Sequence, residues 1–238
     1  MKNPMRQLFS LGLIPDWLDR IFHRSVTPLI RFFSLKYVNP NWLTTLGFLQ
    51  SVAAAVLIAK DELIWGGILV GTAGIFDYID GKVAALTGKV TRFGAILDTV
   101  LDRYSDAALC LGIIVFYSRG GHRATAMVTV LALLGSLMTS YIKSVGTAQG
   151  FRFRVGALRR QERVTLIFAG LIFSFAHRGV EGMVIKLGTS LGWSIHSVPV
   201  MPLAAVVYFL AVFTNFTALQ RFFALRKMAR AADSQKDV

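Results

Sequence analysis

Five aspartates stand inside otherwise apolar stretches of the 238-residue chain, and their spacing predicts a metal site. The first two are three positions apart and the next two are four apart, so each of these pairs lies on one face of a helix. Because an ionisable side chain inside a bilayer costs about 3 kcal/mol or more, such residues usually serve a function. The five aspartates are Asp77, Asp80, Asp98, Asp102 and Asp106.

The chemistry that these carboxylates favour is the binding of divalent cations. A short turn at 87–91 joins the two aspartate-bearing segments as an antiparallel pair of helices, so that the first four aspartates converge at a similar depth. Four carboxylates without counter-charge would repel one another, and oxygen ligands favour Mg²⁺, Mn²⁺ or Ca²⁺ over zinc. Gly81 and Gly94 leave space beside them for a bulky ligand such as a nucleotide diphosphate.

The elements that must position these residues are apolar helices. Six long apolar stretches approach the roughly 20 residues that a helix needs to cross a bilayer, which predicts an all-α integral membrane protein with six transmembrane helices. An amphipathic interfacial helix over 16–36 precedes them, with Trp17 and Ile21 on one face and Arg20 and Arg24 on the other. Within the second stretch, Gly67 and Gly71 have the spacing of small residues at close helix contacts. The predicted spans are about 43–60, 63–85, 94–117, 124–143, 164–176 and 199–220.

The basic residues predict the orientation in the membrane. Twenty of the 26 lysines and arginines fall on one side of the predicted spans and five on the other, so both termini and the aspartates should face the cytoplasm of a prokaryotic plasma membrane. This topology accounts for the net charge of +13, and nucleic acid is not expected as a partner. The predicted organisation is a cytoplasmic N-terminal segment with the amphipathic helix at 1–42, a six-helix transmembrane catalytic domain at 43–222 and a basic, polar cytoplasmic tail at 223–238.

The segment from Asp77 to Asp102 resembles the signature of the CDP-alcohol phosphotransferases, D-x2-D-G-x2-A-R-x8-G-x3-D-x3-D. Seven of its eight fixed positions match at the right spacing, and the exception is Ala85, where the family has arginine. The six-span layout and the stretch Pro40-Asn41-x-Leu43-Thr44 are also similar to this family, so the resemblance covers roughly residues 16–220.

The resemblance implies a metal-dependent reaction of phospholipid biosynthesis. A CDP-alcohol, usually CDP-diacylglycerol, gives its phosphoryl-alcohol part to a hydroxyl of a polar acceptor, and CMP is released. It implies two Mg²⁺ or Mn²⁺ ions, Asp102 as a shared metal ligand and general base, and a homodimer among membrane lipids. Lys82 would replace the missing arginine. By resemblance, the metal ligands are Asp77, Asp80, Asp98 and Asp102, and the CDP-binding residues are Asn41, Thr44, Asp77, Gly81, Lys82, Ala84 and Gly94.

The acceptor site is suggested by a second similarity. Residues 155–163 and the stretch 102–106 resemble the branch of the family that makes phosphatidylinositol phosphate and its archaeal counterpart. This implies inositol phosphate as the acceptor and Lys143, Arg160 and Arg163 as ligands of its phosphate. A basic cytoplasmic loop is also expected from topology alone, so glycerol phosphate, serine and other polyols stay open as acceptors. Asp106 either belongs to the site or forms a hydrogen bond to a neighbouring helix.

Two other classes of function stay open. A cation or proton transporter could move ions along the intramembrane carboxylates, although transporters more often contain broken helices or paired repeats. A lipid-binding scaffold that has lost its activity is the remaining alternative. Release of CMP from CDP-diacylglycerol would separate the transferase from both.

Overall fold

A computed structural model describes residues 16–35, 38–151, 158–190 and 201–234, and these residues form seven α-helices. This confirms the all-α prediction. Residues 155–157 of the second similarity and the first two residues of the sixth predicted span lie outside the described residues, as do the side chains of Trp17, Arg20 and Ile21. The helices are α1 Asp16–Leu35, α2 Pro40–Ala59, α3 Leu63–Thr87, α4 Arg92–Arg119, α5 Arg123–Ala148, α6 Arg160–Ser190 and α7 Met201–Ser234.

Four helices are long and apolar enough to cross a membrane: α2, α3, α5 and the part of α7 from Pro202. Over the described residues, α4 and α6 do not reach the same apolar character. Three of the five aspartates and Arg103 lie along α4, and α6 begins with charged residues and also contains Arg178. The fifth predicted span lies within α6, which runs for 31 residues. The sixth continues without a break into the predicted tail, as α7 ends at Ser234.

Local sequence signals account for the helix ends around the aspartates. The Asn39 side chain accepts a hydrogen bond from the Asn41 amide, and Pro40 occupies the first turn of α2. The Thr91 side chain accepts from the amide of Gly94 at 2.9 Å and begins α4 in the same way. Between them, Gly88 ends α3 with a φ of 69°, a conformation that other residues rarely adopt. These caps fix where each aspartate falls along its helix.

Six of the helices form a closed ring of contacts. Following the contacts around the ring, α2 packs against α3, α3 against α6, α6 against α7, α7 against α5, α5 against α4, and α4 against α2. The seventh helix, α1, packs on the outside against α3, where Val26 is buried with Ile79 and Val83. The ring therefore encloses an interior that α2, α3, α4 and α6 can all reach.

Small residues permit the closest helix contacts in this ring. A Cβ added at Gly112 on α4 would lie 2.5 Å from the carbonyl oxygen of Ala55 on α2, so only glycine allows these two backbones to approach as they do. The predicted close packing at Gly67 and Gly71 is confirmed, and its partner is α6. A Cβ at Gly67 would meet Leu171, and one at Gly71 would meet the ring of Phe168.

The prediction that α3 and α4 pack as an antiparallel pair was wrong in its contacts. Among the described residues these two helices share at most a few contacts, whereas α2 packs extensively against both. The physical reason is the small-residue face of α2, which includes Gly47 and Ala55 and lets α3 and α4 approach it closely. The connection 88–91 therefore joins two helices that pack on α2 and not on each other, and residues of α2, α3, α4 and α6 line a cleft between these helices.

Candidate active site

Three of the four aspartates predicted as metal ligands meet across this cleft. Asp77 on α3 and Asp98 and Asp102 on α4 each offer a carboxylate oxygen, and these oxygens lie within 4.8 Å of one another. All three side chains are partly buried. The helical spacing accounts for the α4 pair, because residues four apart lie on the same face. An all-oxygen set of this size suits a hard divalent cation such as Mg²⁺ or Mn²⁺.

Asp80 lies outside this set of three, although it is one turn from Asp77 on the same helix. Its carboxylate is buried and accepts a hydrogen bond from the hydroxyl of Thr44 on α2, with 2.6 Å between Oγ1 and Oδ2. A charge-assisted hydrogen bond of this length is short and strong, so it fixes the orientation of the carboxylate. Thr44 was predicted from the family resemblance to bind CDP. In the structure it contacts a predicted metal ligand.

The guanidinium of Arg160 lies among the carboxylates. Its Nη1 is 2.8 Å from Oδ1 of Asp77 and 2.7 Å from Oδ1 of Asp102, and its Nε is 3.3 Å from Oδ1 of Asp106. Arg160 begins α6, which packs against α3 and so brings this side chain into the ring. A positive group is therefore accommodated between carboxylates of α3 and α4.

Asp106 forms a second, deeper cluster of charges. Its Oδ2 accepts hydrogen bonds from Nη2 of Arg163 at 3.1 Å and from the Ser136 hydroxyl at 3.2 Å, and Nη1 of Arg103 lies 3.6 Å away. Arg103 also donates to Ser140 at 2.6 Å. Asp106 therefore bonds to neighbouring helices, which is one of the two interpretations left open for it, and its partners include the predicted site residues Arg160 and Arg163.

A cavity of about 680 Å³ opens beside these groups. Asp77, Asp102 and Arg160 line it together with apolar side chains from the interior of the ring. A site with charged groups at one end and apolar walls beyond can hold a molecule that has a charged head and a hydrocarbon part. The apolar lining includes Phe48, Ile68, Leu101, Leu109, Val164 and Phe168.

Residues predicted to contact CDP lie near the helix ends around the aspartates. A Cβ added at Gly81 would meet no atom within 4 Å, so the surface there is open. A Cβ at Gly94 would lie 3.0 Å from Oδ1 of Asn41, so the starts of α2 and α4 approach each other at this point. Lys82 places its Nζ 5.6 Å from the centre of the Tyr78 ring. Ala84 is half-buried, whereas Ala85 is exposed.

The structure brings two of the three predicted acceptor-phosphate ligands close together. Arg160 and Arg163 are both bound to Asp106, whereas Lys143 is exposed near the end of α5 and has no hydrogen bond or ion pair to them among the described residues. Ser136 and Ser140 were not among the residues predicted for the site. Their spacing of four residues on α5 places them on one face, which is the signal that could have indicated them.

The residues present fit the metal ions that the resemblance implies. The donor atoms are carboxylate oxygens from two helices, and the space between two of them accepts a cationic group. The Thr44 hydrogen bond supports Asp80 from outside, as groups around metal ligands commonly do. Asp77, Asp98 and Asp102 are therefore suitable ligands for Mg²⁺ or Mn²⁺.

Curated proteins with similar sequences include phosphatidylinositol phosphate synthases and archaetidylinositol phosphate synthases. The chain is 31% identical over 214 residues to the phosphatidylinositol phosphate synthase of Mycobacteroides abscessus. The aligned region covers 89% of this chain and 88% of that protein. It is 37% identical over 175 residues to the synthase of the same name from Corynebacterium glutamicum, covering 71% and 76%. It is also 35% identical over 144 residues to the archaetidylinositol phosphate synthase of Pyrococcus horikoshii, covering 60% and 74%.

Solved structures agree with these similarities. The Mycobacterium tuberculosis phosphatidylinositol phosphate synthase with CDP-DAG bound superposes with a TM-score of 0.68 at 29% identity, covering 85% of this chain and 94% of that one. The same synthase in complex with manganese and citrate gives 0.67, covering 84% and 88%. The model of the CDP-alcohol phosphatidyltransferase family matches residues 37–200. From these matches and the aspartate signature, the chain belongs to the CDP-alcohol phosphatidyltransferase family.

Proposed function

We propose that this transferase moves the phosphatidyl group of CDP-diacylglycerol to the hydroxyl of inositol phosphate and releases CMP. Membership of the family decides for a transferase over a cation transporter. The convergence of Asp77, Asp98 and Asp102 within 4.8 Å, beside a cavity that is charged at one end, carries the proposal. The names of the relatives support inositol phosphate over glycerol phosphate, serine or another polyol.

Two divalent ions are part of the proposal, held by Asp77, Asp80, Asp98 and Asp102. When bound, the metals neutralise the charge of the diphosphate and stabilise the attacking and leaving oxygens. The convergence of three of these side chains and the manganese in a related structure support this assignment. Both Mg²⁺ and Mn²⁺ suit the oxygen ligands.

Asp102 acts in the proposal as the general base. It takes the proton from the acceptor hydroxyl, and the acceptor oxygen forms a bond to the phosphorus that carries diacylglycerol. The bond from this phosphorus to the bridging oxygen of the diphosphate breaks, and CMP leaves with the electron pair. The chain contributes mainly the positioning of the substrates and the neutralisation of charge, which together account for most of the catalysis of phosphoryl transfer.

The two substrates would approach the aspartates from different helices. The nucleotide would lie against the open surface at Gly81 and the junction of Asn41 and Gly94. Asp77, Thr44, Lys82 and Ala84 complete this proposed CDP site. The acceptor phosphate would bind Arg160 and Arg163, with Lys143 reached from the exposed end of α5.

The proposed membrane arrangement has six spans, which are the four helices that meet the length and composition criteria and two more. In this arrangement α4 and α6 also cross the bilayer, since both belong to the closed ring of contacts. The termini and the active site face the cytoplasm of a prokaryotic plasma membrane because the basic residues concentrate on that side. The exposed apolar side chains of the ring would contact membrane lipids, and two chains would associate as a homodimer.

The proposed function is tested by CMP release from purified protein in lipid nanodiscs. CDP-diacylglycerol and Mg²⁺ or Mn²⁺ are supplied with inositol phosphate, inositol, glycerol phosphate or serine. We expect release with inositol phosphate and its loss in the Asp102→Asn variant. Release with another acceptor alone would contradict the assignment of Arg160 and Arg163. No release with any acceptor would contradict the transfer reaction and favour the scaffold.

A further inference from the structure

The buried carboxylate of Asp106 stands one turn beyond Asp102 on α4 and joins three helices. It is outside the aspartate signature. We propose that Asp106 is a positioning residue that holds Arg160 and Arg163 in the orientation that binds the acceptor phosphate. This inference rests on the proposed function, in which both arginines are acceptor ligands.

The contacts of Asp106 divide between its two oxygens. Oδ1 faces Nε of Arg160 at 3.3 Å, and Oδ2 faces Nη2 of Arg163 at 3.1 Å. The Ser136 hydroxyl on α5 also donates to Oδ2, at 3.2 Å. Asp106 is only 7% exposed, so these charge-assisted bonds are screened little by solvent. The carboxylate is therefore fixed from α5 while it binds two arginines of α6.

Asp106 determines the direction in which Arg160 points. The guanidinium is planar, and here its Nε edge contacts Asp106 while its Nη1 contacts Asp77 and Asp102. With two anchors on different sides, the plane cannot turn freely. Loss of the Nε anchor would leave Arg160 held through Nη1 alone, and its remaining donors would no longer be directed toward a fixed point.

Electrostatics gives a second reason to assign a positioning role to Asp106. Arg103, Arg160 and Arg163 all lie within 4 Å of Asp106, so one carboxylate gathers three cations that would otherwise repel one another. Asp77 and Asp102 also contact Arg160, so a phosphate would be recognised by the directed donors of Arg160 and Arg163 and not by an excess of positive charge. A carboxylate that acted only by neutralising arginines would instead weaken phosphate binding. The two roles predict opposite changes in acceptor affinity when the charge is removed.

The test compares steady-state CMP release by the wild type and by the Asp106→Asn variant, with both substrates varied. Asparagine keeps the size of the side chain and one acceptor oxygen but removes its charge. We expect the KM for inositol phosphate to rise about tenfold, as for other residues that orient ligands. The kcat and the KM for CDP-diacylglycerol should stay within about threefold of the wild type, because Asp106 itself forms no hydrogen bond or ion pair with the residues proposed for the CDP site among the described residues.

A second variant covers the case in which Asp106→Asn does not fold. Ser136→Ala removes the hydrogen bond from α5 without changing any charge, and we expect a rise of about threefold in the KM for inositol phosphate. Its control is Thr129→Val, which removes another buried hydroxyl of α5 that donates to Thr125 of its own helix. The control should keep the wild-type KM.

Three outcomes would overturn the positioning role while the wild type stays active with inositol phosphate. The KM values for donor and acceptor could rise together, which would indicate a merely structural residue. The acceptor KM could fall, which would indicate neutralisation alone. It could also stay unchanged in every folded variant. A wild type that releases no CMP with inositol phosphate would instead overturn the proposed function, and the positioning role with it.

Discussion

Nη1 of Arg160 on α6 lies 2.7 Å from Oδ1 of Asp102 on α4, so a proposed ligand of the acceptor phosphate touches the proposed general base. An acceptor held by its phosphate at Arg160 would therefore keep its hydroxyls within reach of Asp102. Such positioning is worth several kcal/mol in bimolecular reactions. This contact links recognition of the acceptor to the chemistry, and it leads to the first prediction.

Replacing Arg160 by lysine should impair the use of inositol phosphate although the positive charge remains. A lysine ammonium cannot reproduce the planar set of donors that faces Asp77, Asp102 and Asp106. We expect kcat/KM for inositol phosphate to fall at least about tenfold in Arg160→Lys, measured by CMP release. Arg226→Lys, at an exposed position of α7, is the control and should behave as the wild type. An unchanged kcat/KM would contradict the role of Arg160.

The second prediction concerns the support of Asp80. The Thr44→Val variant loses the 2.6 Å hydrogen bond to Asp80, so the carboxylate is less well oriented for metal. We expect the Mn²⁺ concentration for half-maximal CMP release to rise about tenfold, with recovery at saturating Mn²⁺. Thr44→Ser keeps the hydroxyl and should restore normal metal dependence.

The adjacent residue provides a matched control for this measurement. Thr45 donates to the Asn41 carbonyl of its own helix at 2.8 Å, so Thr45→Val removes a hydroxyl without touching the aspartates. Its metal dependence should equal that of the wild type. If both valine variants changed equally, the effect would come from α2 as a whole and not from the bond to Asp80.

Helical periodicity explains how much of this site could be predicted from the sequence. The spacing of Asp98 and Asp102 fixes a common face whatever the rest of the fold does, and the apolar stretches fix where the helices lie along the chain. The signature could therefore indicate the convergence of Asp77 with this pair, which the structure shows. These are consequences of local structure.

What the sequence did not predict depends on contacts between helices distant in the chain. Arg160 reaches Asp77 because α6 packs against α3, across 83 positions of sequence. The separation of α3 from α4 follows from the small residues of α2, and the bond of Thr44 to Asp80 follows from that packing as well. Periodicity gives the face of a helix but does not give the neighbour toward which it turns.

The third prediction is that removal of one ligand of the aspartate cluster abolishes metal binding. Asp98→Asn leaves two carboxylates of the set, and we expect loss of Mn²⁺ binding measured by electron paramagnetic resonance, together with loss of CMP release. Treatment of the wild type with EDTA should also stop CMP release, and added Mn²⁺ should restore it. Asp61→Asn is the control, because Asp61 pairs with Arg178 instead of the cluster. Full Mn²⁺ binding by Asp98→Asn would contradict the metal site.

The fourth prediction separates stability from activity at two glycines. In Gly112→Ala the new Cβ would lie 2.8 Å from Cα of Ala55, so α2 and α4 must move apart. We expect a loss of about 1–3 kcal/mol in the free energy of unfolding, observed as a lower Tm in detergent. Gly81→Ala meets no atom within 4 Å and should keep or raise the Tm.

The KM for CDP-diacylglycerol should change in the variant that keeps its stability and stay normal in the variant that loses it. If the nucleotide lies against Gly81, the added methyl group in Gly81→Ala raises the KM for CDP-diacylglycerol, whereas folded Gly112→Ala keeps the wild-type KM. Steady-state CMP release below the Tm of both variants measures this difference. An unchanged donor KM in Gly81→Ala would remove Gly81 from the proposed CDP site.

The last prediction concerns Ala85, the one departure from the signature. Lys82 lies one turn before it, so we expect its ammonium to bind the diphosphate in place of the arginine of the family pattern. We expect Lys82→Ala to raise the KM for CDP-diacylglycerol about tenfold. Because Ala85 is exposed, Ala85→Arg should fold normally and should restore the donor KM when combined with Lys82→Ala. Lys89→Ala, at an exposed position beyond the end of α3, is the control. A donor KM that stays normal in Lys82→Ala would show that other groups hold the diphosphate.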